Sequence, residues 1–520
     1  MSRSSSLLLP VAFLTAVSFL DGCTLGPNYV RPEVPVPTQY RFASGEARST
    51  ANSAWWQQFG DPVLVDLIAQ ALAKNPTTQA AAANVEAAAA VLTQTRAPLY
   101  PQVGYSGTAE RERVTEEGAT PVPNGVNNPY NSFQILAGAS WELDLWGRIR
   151  RLSEAARANL LANEEARRGV ILSLVGAVAT GYVDLLGLDE QLRIAKRTRK
   201  TYKESLRLFE LQLEHGQVSE MAVAQAQSQY YTAAAQVPAI ERQIAQTEDA
   251  LSVLLGRNPG PIPRGKTLRT LRAPAVPAGV PSQLLERRPD IAQAEQQLIA
   301  ANAQIGAAKA LYFPTISLTG AFGFASSELS SLFDSGAHTW NYAGNFIGPI
   351  FTAGSVSGQV AQTEAIQKAA LASYRQAIQK GFADVSDALV ARRKLGVQTQ
   401  TEVKLVAALQ NYARLARLQY DAGYAPYSTV LQAEQQLFPS ELTLASTRAA
   451  TFSALVRIYT SMGGGWIDVA NKHAPQPKRG GYPFAPALPE APGTTAATSS
   501  ASPTPPAAAK ETTGGGSGRS

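Results

Sequence analysis

From Gly147 to His215 the chain places apolar or aromatic residues at Leu185, Leu188, Leu192, Ala195, Tyr202, Leu206, Phe209 and Leu213, broken only where Arg199 takes a seam position. This 3-4 spacing is the heptad pattern of helices that pack along their length. The stretch holds no proline, so it predicts one helix about 100 Å long at 1.5 Å per residue, far beyond the usual globular length. Other stretches alternate with a period of two: Gln102 to Thr115, Ser132 to Leu145, Thr315 to Ser326 and Trp340 to Thr352. Each predicts a strand long enough to cross a bilayer at a tilt, with aromatics near its ends.

The pattern occurs twice. Gly147, Gly216 and Gly256 recur as Gly354, Gly423 and Gly463 at an offset of 207, and Leu208, Leu211 and Gln212 recur as Leu415, Leu418 and Gln419. Upstream, Pro76, Pro101 and Gly107 recur as Pro289, Pro314 and Gly320 at an offset of 213. The chain is an internal duplication, and the extra six residues fall in the loop between Gly107 and Gly147. Each long helix turns at its glycine and returns, from Gln217 to Gly256 and from Tyr424 to Gly463. Two further helices are expected: Asp61 to Ala97, with Asp61 as N-cap and Pro62 at the first position, and Ser282 to Leu311. The returning helices cover only part of the rod. The expected arrangement stacks 217–256 end to end with 282–311, and 424–463 with 61–97, the breaks meeting at one level.

Four strands cannot close a barrel, and an open edge in lipid leaves backbone groups unpaired at several kcal/mol each. The strands must therefore be pooled between copies, and three copies give twelve, an even number within the known range. The expected fold is a mixed α and β membrane protein: a trimeric twelve-stranded barrel, four strands per chain, continuous with a long helical barrel of coiled-coil hairpins. The chain divides into a signal segment (1–22), an extended arm (23–60), a first repeat (61–256), a Pro-rich equatorial linker (257–281), a second repeat (282–466) and a disordered tail (467–520).

Composition narrows the setting. Of 520 residues 17% are charged and mean hydropathy is -0.11; no run of 18 uninterrupted apolar residues follows residue 20, so membrane entry is expected by strands. Arg3, the apolar run Leu7 to Leu20, and Asp21-Gly22-Cys23 read as an export signal ending at a lipidated cysteine. Cys23 is the only cysteine, which leaves a modified residue rather than a disulfide, although Asp21 stands where a lipobox usually has a small residue. The net charge of +6 is scattered, without a basic stripe interleaved with aromatics, and an exported chain meets no genome, so no nucleic-acid partner is expected. Arg148, Arg150 and Arg151 read as a membrane-interface anchor, and Glu142 with Asp144 as a polar strand face toward a lumen or interface. With three histidines and one cysteine no metal cluster is visible; with neither a nucleophile motif nor a phosphate-binding loop, neither an enzyme nor a cofactor is expected.

Eight stretches carry a resemblance: Cys23-Thr-Leu-Gly-Pro-Asn-Tyr-Val-Arg-Pro32, Trp55-Trp56 with Phe59-Gly-Asp-Pro62, Leu99-Tyr-Pro101, Trp141-Glu-Leu-Asp-Leu-Trp-Gly147, Leu284-Leu-Glu-Arg-Arg-Pro-Asp-Ile291, Phe313-Pro314, Gly348-Pro-Ile-Phe-Thr-Ala-Gly354 and Gly463-Gly-Gly-Trp466. Together they resemble the outer-membrane factors, the trimeric TolC-type ducts of efflux pumps, in their lipoprotein branch of the NodT and OprM kind. The resemblance implies a homotrimer in the outer membrane of a Gram-negative bacterium, lipid-anchored at Cys23, with a periplasmic helical extension. It also implies outer-membrane lipid around the strands, docking to a periplasmic adaptor (membrane fusion) protein and, through it, to an inner-membrane resistance-nodulation-division transporter. The implied activity is passive export of drugs or other small molecules; export of proteins in a type I secretion system is the alternative, and a coiled-coil lipoprotein scaffold without a pore a distant one.

The same resemblance puts adaptor contact at the periplasmic tip, on Leu213, Gly216, Val218 and Ser219 in one repeat and Tyr420, Gly423, Tyr424 and Tyr427 in the other. In OprM-like members a leucine and an aspartate on the helix after the turn narrow the pore in threefold rings. The matching gate positions here are Ser428 and Gln432, which would form rings able to hydrogen-bond but lacking negative charge.

Overall fold

The computed structural model describes residues 24–37, 54–115, 117, 127–274, 276 and 285–478. Cys23, the signal segment and residues 479–520 lie outside the described residues. In chain order the elements are α1 (Pro62–Lys74), α2 (Pro76–Arg96), β1 (Gln102–Glu112), β2 (Tyr130–Leu143), α3 (Arg148–Glu214), α4 (Glu220–Leu254), α5 (Pro289–Ala310), β3 (Thr315–Ser326), β4 (His338–Ile347), α6 (Ser355–Asp421), α7 (Tyr427–Met462) and α8 (Trp466–Asn471).

From α2 and again from α5 the order is thus helix, strand, strand, long helix, returning helix. α3 and α6 have 67 residues each, which is about 100 Å. The seam of α3 is buried at Leu185, Ala195, Tyr202, Leu206 and Phe209 and surfaces at Leu213, near its end. Part of α3 is apolar enough to cross a membrane, yet more than half of that part is buried inside the chain. Its Val178, Ala179, Tyr182 and Val183 are fully buried in the main core, with Trp55, Phe59 and Trp466. Trp55 stacks on Tyr459 at 5.1 Å and meets Trp466 edge-on at 5.9 Å. Asp61 ties this region together: it caps α1 at Val63 N (3.0 Å) and accepts from Tyr182 Oη and Lys266 N, both at 2.8 Å.

Three expectations are corrected here. The single helix over 61–97 is two, because proline at 76 forces Asn75 into an extended conformation; Asn75 then caps α2 at Thr77 N (2.7 Å). The end-to-end stacking is within each repeat, not across them. A Cβ on Gly256, just after α4, would stand 2.4 Å from Lys74 O, and the Asn75 amide donates to Leu254 O at 2.8 Å, so α4 abuts α2. Likewise a Cβ on Gly463, after α7, would stand 2.8 Å from Arg287 O, so α7 abuts α5. The tail expected to be disordered from residue 467 is ordered as far as residue 478: Trp466 and Ile467 are fully buried in α8, Arg168 pairs with Asp468 at 2.7 Å, and buried Arg167 donates to Asn471 Oδ1 and Pro475 O.

The linker after α4 is also packed. Ile262, Leu268 and Leu271 enter the main core, and Arg264 bridges Asp189 and Glu248. Before α1, Trp55–Phe59 forms a buried 3-10 turn instead of continuing the arm's extended run.

The strands form one antiparallel sheet in the order β1-β2-β3-β4. β1 stops at Glu112 rather than 115, and β4 stops at Ile347 because Pro349 has no N–H to donate. β2 runs from Tyr130 to Leu143, so Asp144 is not a strand residue. Its carboxylate instead accepts from Ile149 N and Arg150 N, both at 2.9 Å, and caps α3.

Candidate functional site: a two-faced sheet and the helix tips

The register sorts the sheet's side chains. Val103 lies opposite Ala139, Tyr105 opposite Ala137, Ile135 opposite Phe324, Trp141 opposite Leu318 and Phe322 opposite Trp340. Successive residues point to opposite faces, so these all share one face, and it is apolar and aromatic. The other face pairs Ser106 with Leu136, Thr108 with Gln134, Glu142 with Ser317, Thr319 with Ala343 and Ser317 with Asn345. On the apolar face Tyr105 is 92% exposed, Tyr342 80%, Val103 78% and Phe346 70%. Apolar surface left open on this scale needs lipid or protein cover. β1 and β4, at the two ends of the sheet, carry ladder groups on their outer edges that pair with no strand among the described residues.

The junction below the sheet uses the three early arginines of α3, each of which is engaged within the chain. Arg148 pairs with Glu142 (2.8 Å) and Arg150 with Asp144 (3.2 Å). Arg151 is 3% exposed and holds the arm, donating to Leu25 O (3.0 Å), Gly26 O (3.3 Å) and Asn28 Oδ1 (2.8 Å). Glu142 therefore answers a cation at the strand end, and Asp144 leaves the strand; the expected acidic strand face is not formed.

The far ends of α3 and α6 close in the same way. Gly216 N donates to Leu213 O (2.9 Å) and Gln217 N to Gln212 O (2.8 Å); Gly423 N donates to Tyr420 O (2.9 Å) and Tyr424 N to Gln419 O (2.8 Å). Both glycines sit at positive φ, +71° and +76°, the paired-bond helix stop that glycine permits. Ser219 then caps α4 at Ala222 N (3.4 Å). Val218 and Tyr420 pack against a small core of Leu206, Phe209, Val223, Tyr427 and Val430. Within it Phe209 and Tyr427 lie 4.1 Å apart, and Tyr420 and Tyr427 5.3 Å. Tyr427 is buried, Leu213 is 36% exposed and Tyr424 88%.

Ser428 and Gln432, one helical turn apart on α7, are both exposed, on the face opposite buried Tyr427, Val430 and Leu431. Sequence reasoning passed over two groups. Leu211 (46% exposed) and Leu418 (54%) form an apolar rim on the last turns of α3 and α6; their repeat spacing was the available signal. The other is Glu434, an acid two residues beyond Gln432 on α7. Burial pushes its carboxyl up to about 7, against the pull of Arg417, and burial pushes the Tyr427 phenol up to about 12.

Comparison with known proteins decides the family: the outer membrane efflux protein family matches residues 67–257 and 280–464. The chain belongs to this family. The solvent efflux pump outer membrane protein SrpC of Pseudomonas putida is 38% identical over 459 residues, 87% of this chain and 97% of SrpC. The cation efflux system protein CusC of Escherichia coli is 36% identical over 466 residues, 88% of this chain and 98% of CusC. Among solved structures, the outer-membrane channel OprN superposes with a TM-score of 0.80 at 30% identity, covering 86% of this chain and 100% of OprN. The sheet is the part of this efflux protein that lies in the outer membrane, and the long helices extend into the periplasm.

Proposed function

We propose that three copies close their sheets edge to edge into one barrel and align their helices below it, forming a passive duct for small molecules across the outer membrane. The observation that carries this reading is the sheet: an apolar aromatic face, a polar face, and two edges, unpaired among the described residues, that lipid does not tolerate. Each tip is read as the contact for a periplasmic adaptor and, through it, an inner-membrane transporter. Leu213, Gly216, Val218, Ser219, Tyr420, Gly423, Tyr424 and Tyr427 would serve there in two ways. The glycines, Ser219 and Tyr427 shape the turns; Tyr424 and Leu213 present exposed surface. Cys23 is read as the lipid anchor, one residue before Thr24.

Relatives with nearly full-length similarity are named for solvents in one case and cations in another, which fits a duct that leaves cargo selection to its partner. Small-molecule efflux is accordingly the reading adopted. Ser428 and Gln432 are the gate positions, their rings closing by hydrogen bonds without fixed charge. The test is single-channel conductance in a planar bilayer for wild type and for the Ser428→Ala, Gln432→Ala double variant. The reading expects low conductance that rises severalfold in the variant. A trimer that conducts in neither form would sink it.

A further inference from the structure

We propose that a cavity at the junction of sheet and helices binds the phosphodiester headgroup of a glycerophospholipid from the periplasmic leaflet. The cavity, about 700 Å³, lies between the end of α2 and the first turns of α3. Its polar lining comes from Arg96, Arg150, Ser153, Glu154 and Arg157, and its apolar lining from the Ala97–Leu99 turn, Tyr100 and Pro101.

The charges in it are unevenly satisfied. Arg150 is engaged by Asp144, and Glu154 is taken by Arg151 at 2.8 Å. Among the described residues neither Arg96 nor Arg157 has an ion-pair partner, so two guanidinium groups flank the space without a carboxylate of their own. The second observation is Ser153: it is 6% exposed, lines the cavity, and its hydroxyl has no hydrogen-bond partner. A buried unpartnered hydroxyl costs free energy that a ligand oxygen would recover. Two guanidinium forks and one hydroxyl around one space suit a phosphate, which accepts several charge-assisted hydrogen bonds at once.

Position selects the source of that phosphate. Gln102, in the lining, begins β1, so the cavity sits where the sheet enters the bilayer. Tyr100, 60% exposed, and Tyr312, 51% exposed, stand at this level, as aromatic residues do at a headgroup boundary. The cavity's Leu99 turn lies beside the apolar face of the sheet, where Trp141 Nε1 donates to Leu99 O at 3.0 Å. Arg150, Glu154, Arg157, Glu164 and Arg168 recur at helical spacing along one stripe of α3, and Arg168 of that stripe holds α8. Neighbouring Arg151 holds the arm. In the duct proposed above the two repeats line the lumen and the arm and α8 are additions to them, so this stripe is assigned to the side of lipid and periplasm. An apolar rim around a cationic pocket at that depth fits a lipid, whose glycerol and first methylenes would rest on Leu99 and Pro101, better than a free anion.

The experiment uses the full chain, delipidated as the detergent-solubilised assembly. Phosphatidylglycerol adducts are measured by native mass spectrometry for wild type, for Arg96→Gln with Arg157→Gln, and for Ser153→Ala. Melting without lipid reports folding, and Arg96→Lys with Arg157→Lys keeps the charge while removing the fork. Wild type is expected to retain the lipid, with affinity falling about tenfold in the double glutamine variant and less in the others. Equal retention by wild type and the glutamine variant would overturn the proposal. So would an arginine-dependent rise in melting temperature with inorganic phosphate as large as that with lipid, or adducts that form only on dissociated chains, which would mean that a neighbouring copy covers the cavity.

Discussion

Glu434 illustrates how a single side chain is set by what surrounds it. One carboxylate oxygen is buried with no partner; Arg417 acts on it from α6, Tyr202 of α3 donates to its backbone carbonyl at 3.3 Å, and Tyr427 lies one α7 stretch before it. The folded carboxyl, raised to about 7, holds a proton that the unfolded one releases at ordinary carboxylate pH. Stability is therefore lost as pH rises from the ordinary range to about 7, and no penalty remains below it. Glu434→Gln should stabilise the protein at pH 8 by about 1–2 kcal/mol, after allowing for solvent screening, and leave it unchanged at pH 4. Thermal melts at the two pH values check this; equal shifts at both would contradict it. At the turns, Gly216 and Gly423 have open space where a Cβ would go, so only backbone strain opposes a side chain. Alanine at either should cost about 1–2 kcal/mol, read by urea titration. These glycines were legible from their repeat spacing. Asp144 was not: its alternation with Glu142 suggested a strand, and only the cap it makes on α3 shows that the strand had ended.

The long helices and the strands of this fold follow from local periodicity, which is why α3, α6 and the four strands could be read from the chain. What periodicity cannot supply is the partner of a helix end. Two short helices and two returning helices allow two stackings of equal length, and steric contact at Gly256 and Gly463 selects the one within each repeat. The arm is decided the same way. A Cβ on Gly306 would stand 2.4 Å from Leu25 O and 2.9 Å from Arg151 Cγ, so α5 accepts the arm only because residue 306 has no side chain. Gly306→Val should release the arm while leaving the helices folded, and protease should then cut near residues 24–31 well before the rest; unchanged protection would contradict the contact. The aromatic cluster is the counterpart at the middle of the rods. Trp466→Ala removes a fully buried ring touching Trp55 and Trp56 and should cost about 3–5 kcal/mol. Its loss should also free residues 472–478, whose order was illegible in a composition of small and polar residues.

At the scale of the whole molecule, one chain is incomplete. Its sheet has a face made for lipid, a polar face, and two edges that no described residue covers, while both hairpin tips expose Leu211, Leu418 and Tyr424 to whatever lies below. Closure by copies follows from the cost of unpaired backbone in hydrocarbon, and a duct follows from closure. The mass of the detergent-solubilised protein, measured by light scattering with the detergent contribution separated, tests this most directly. The account predicts a particle of three chains at every protein concentration used. A folded monomer, with its full helical signal and no tendency to associate, would contradict it.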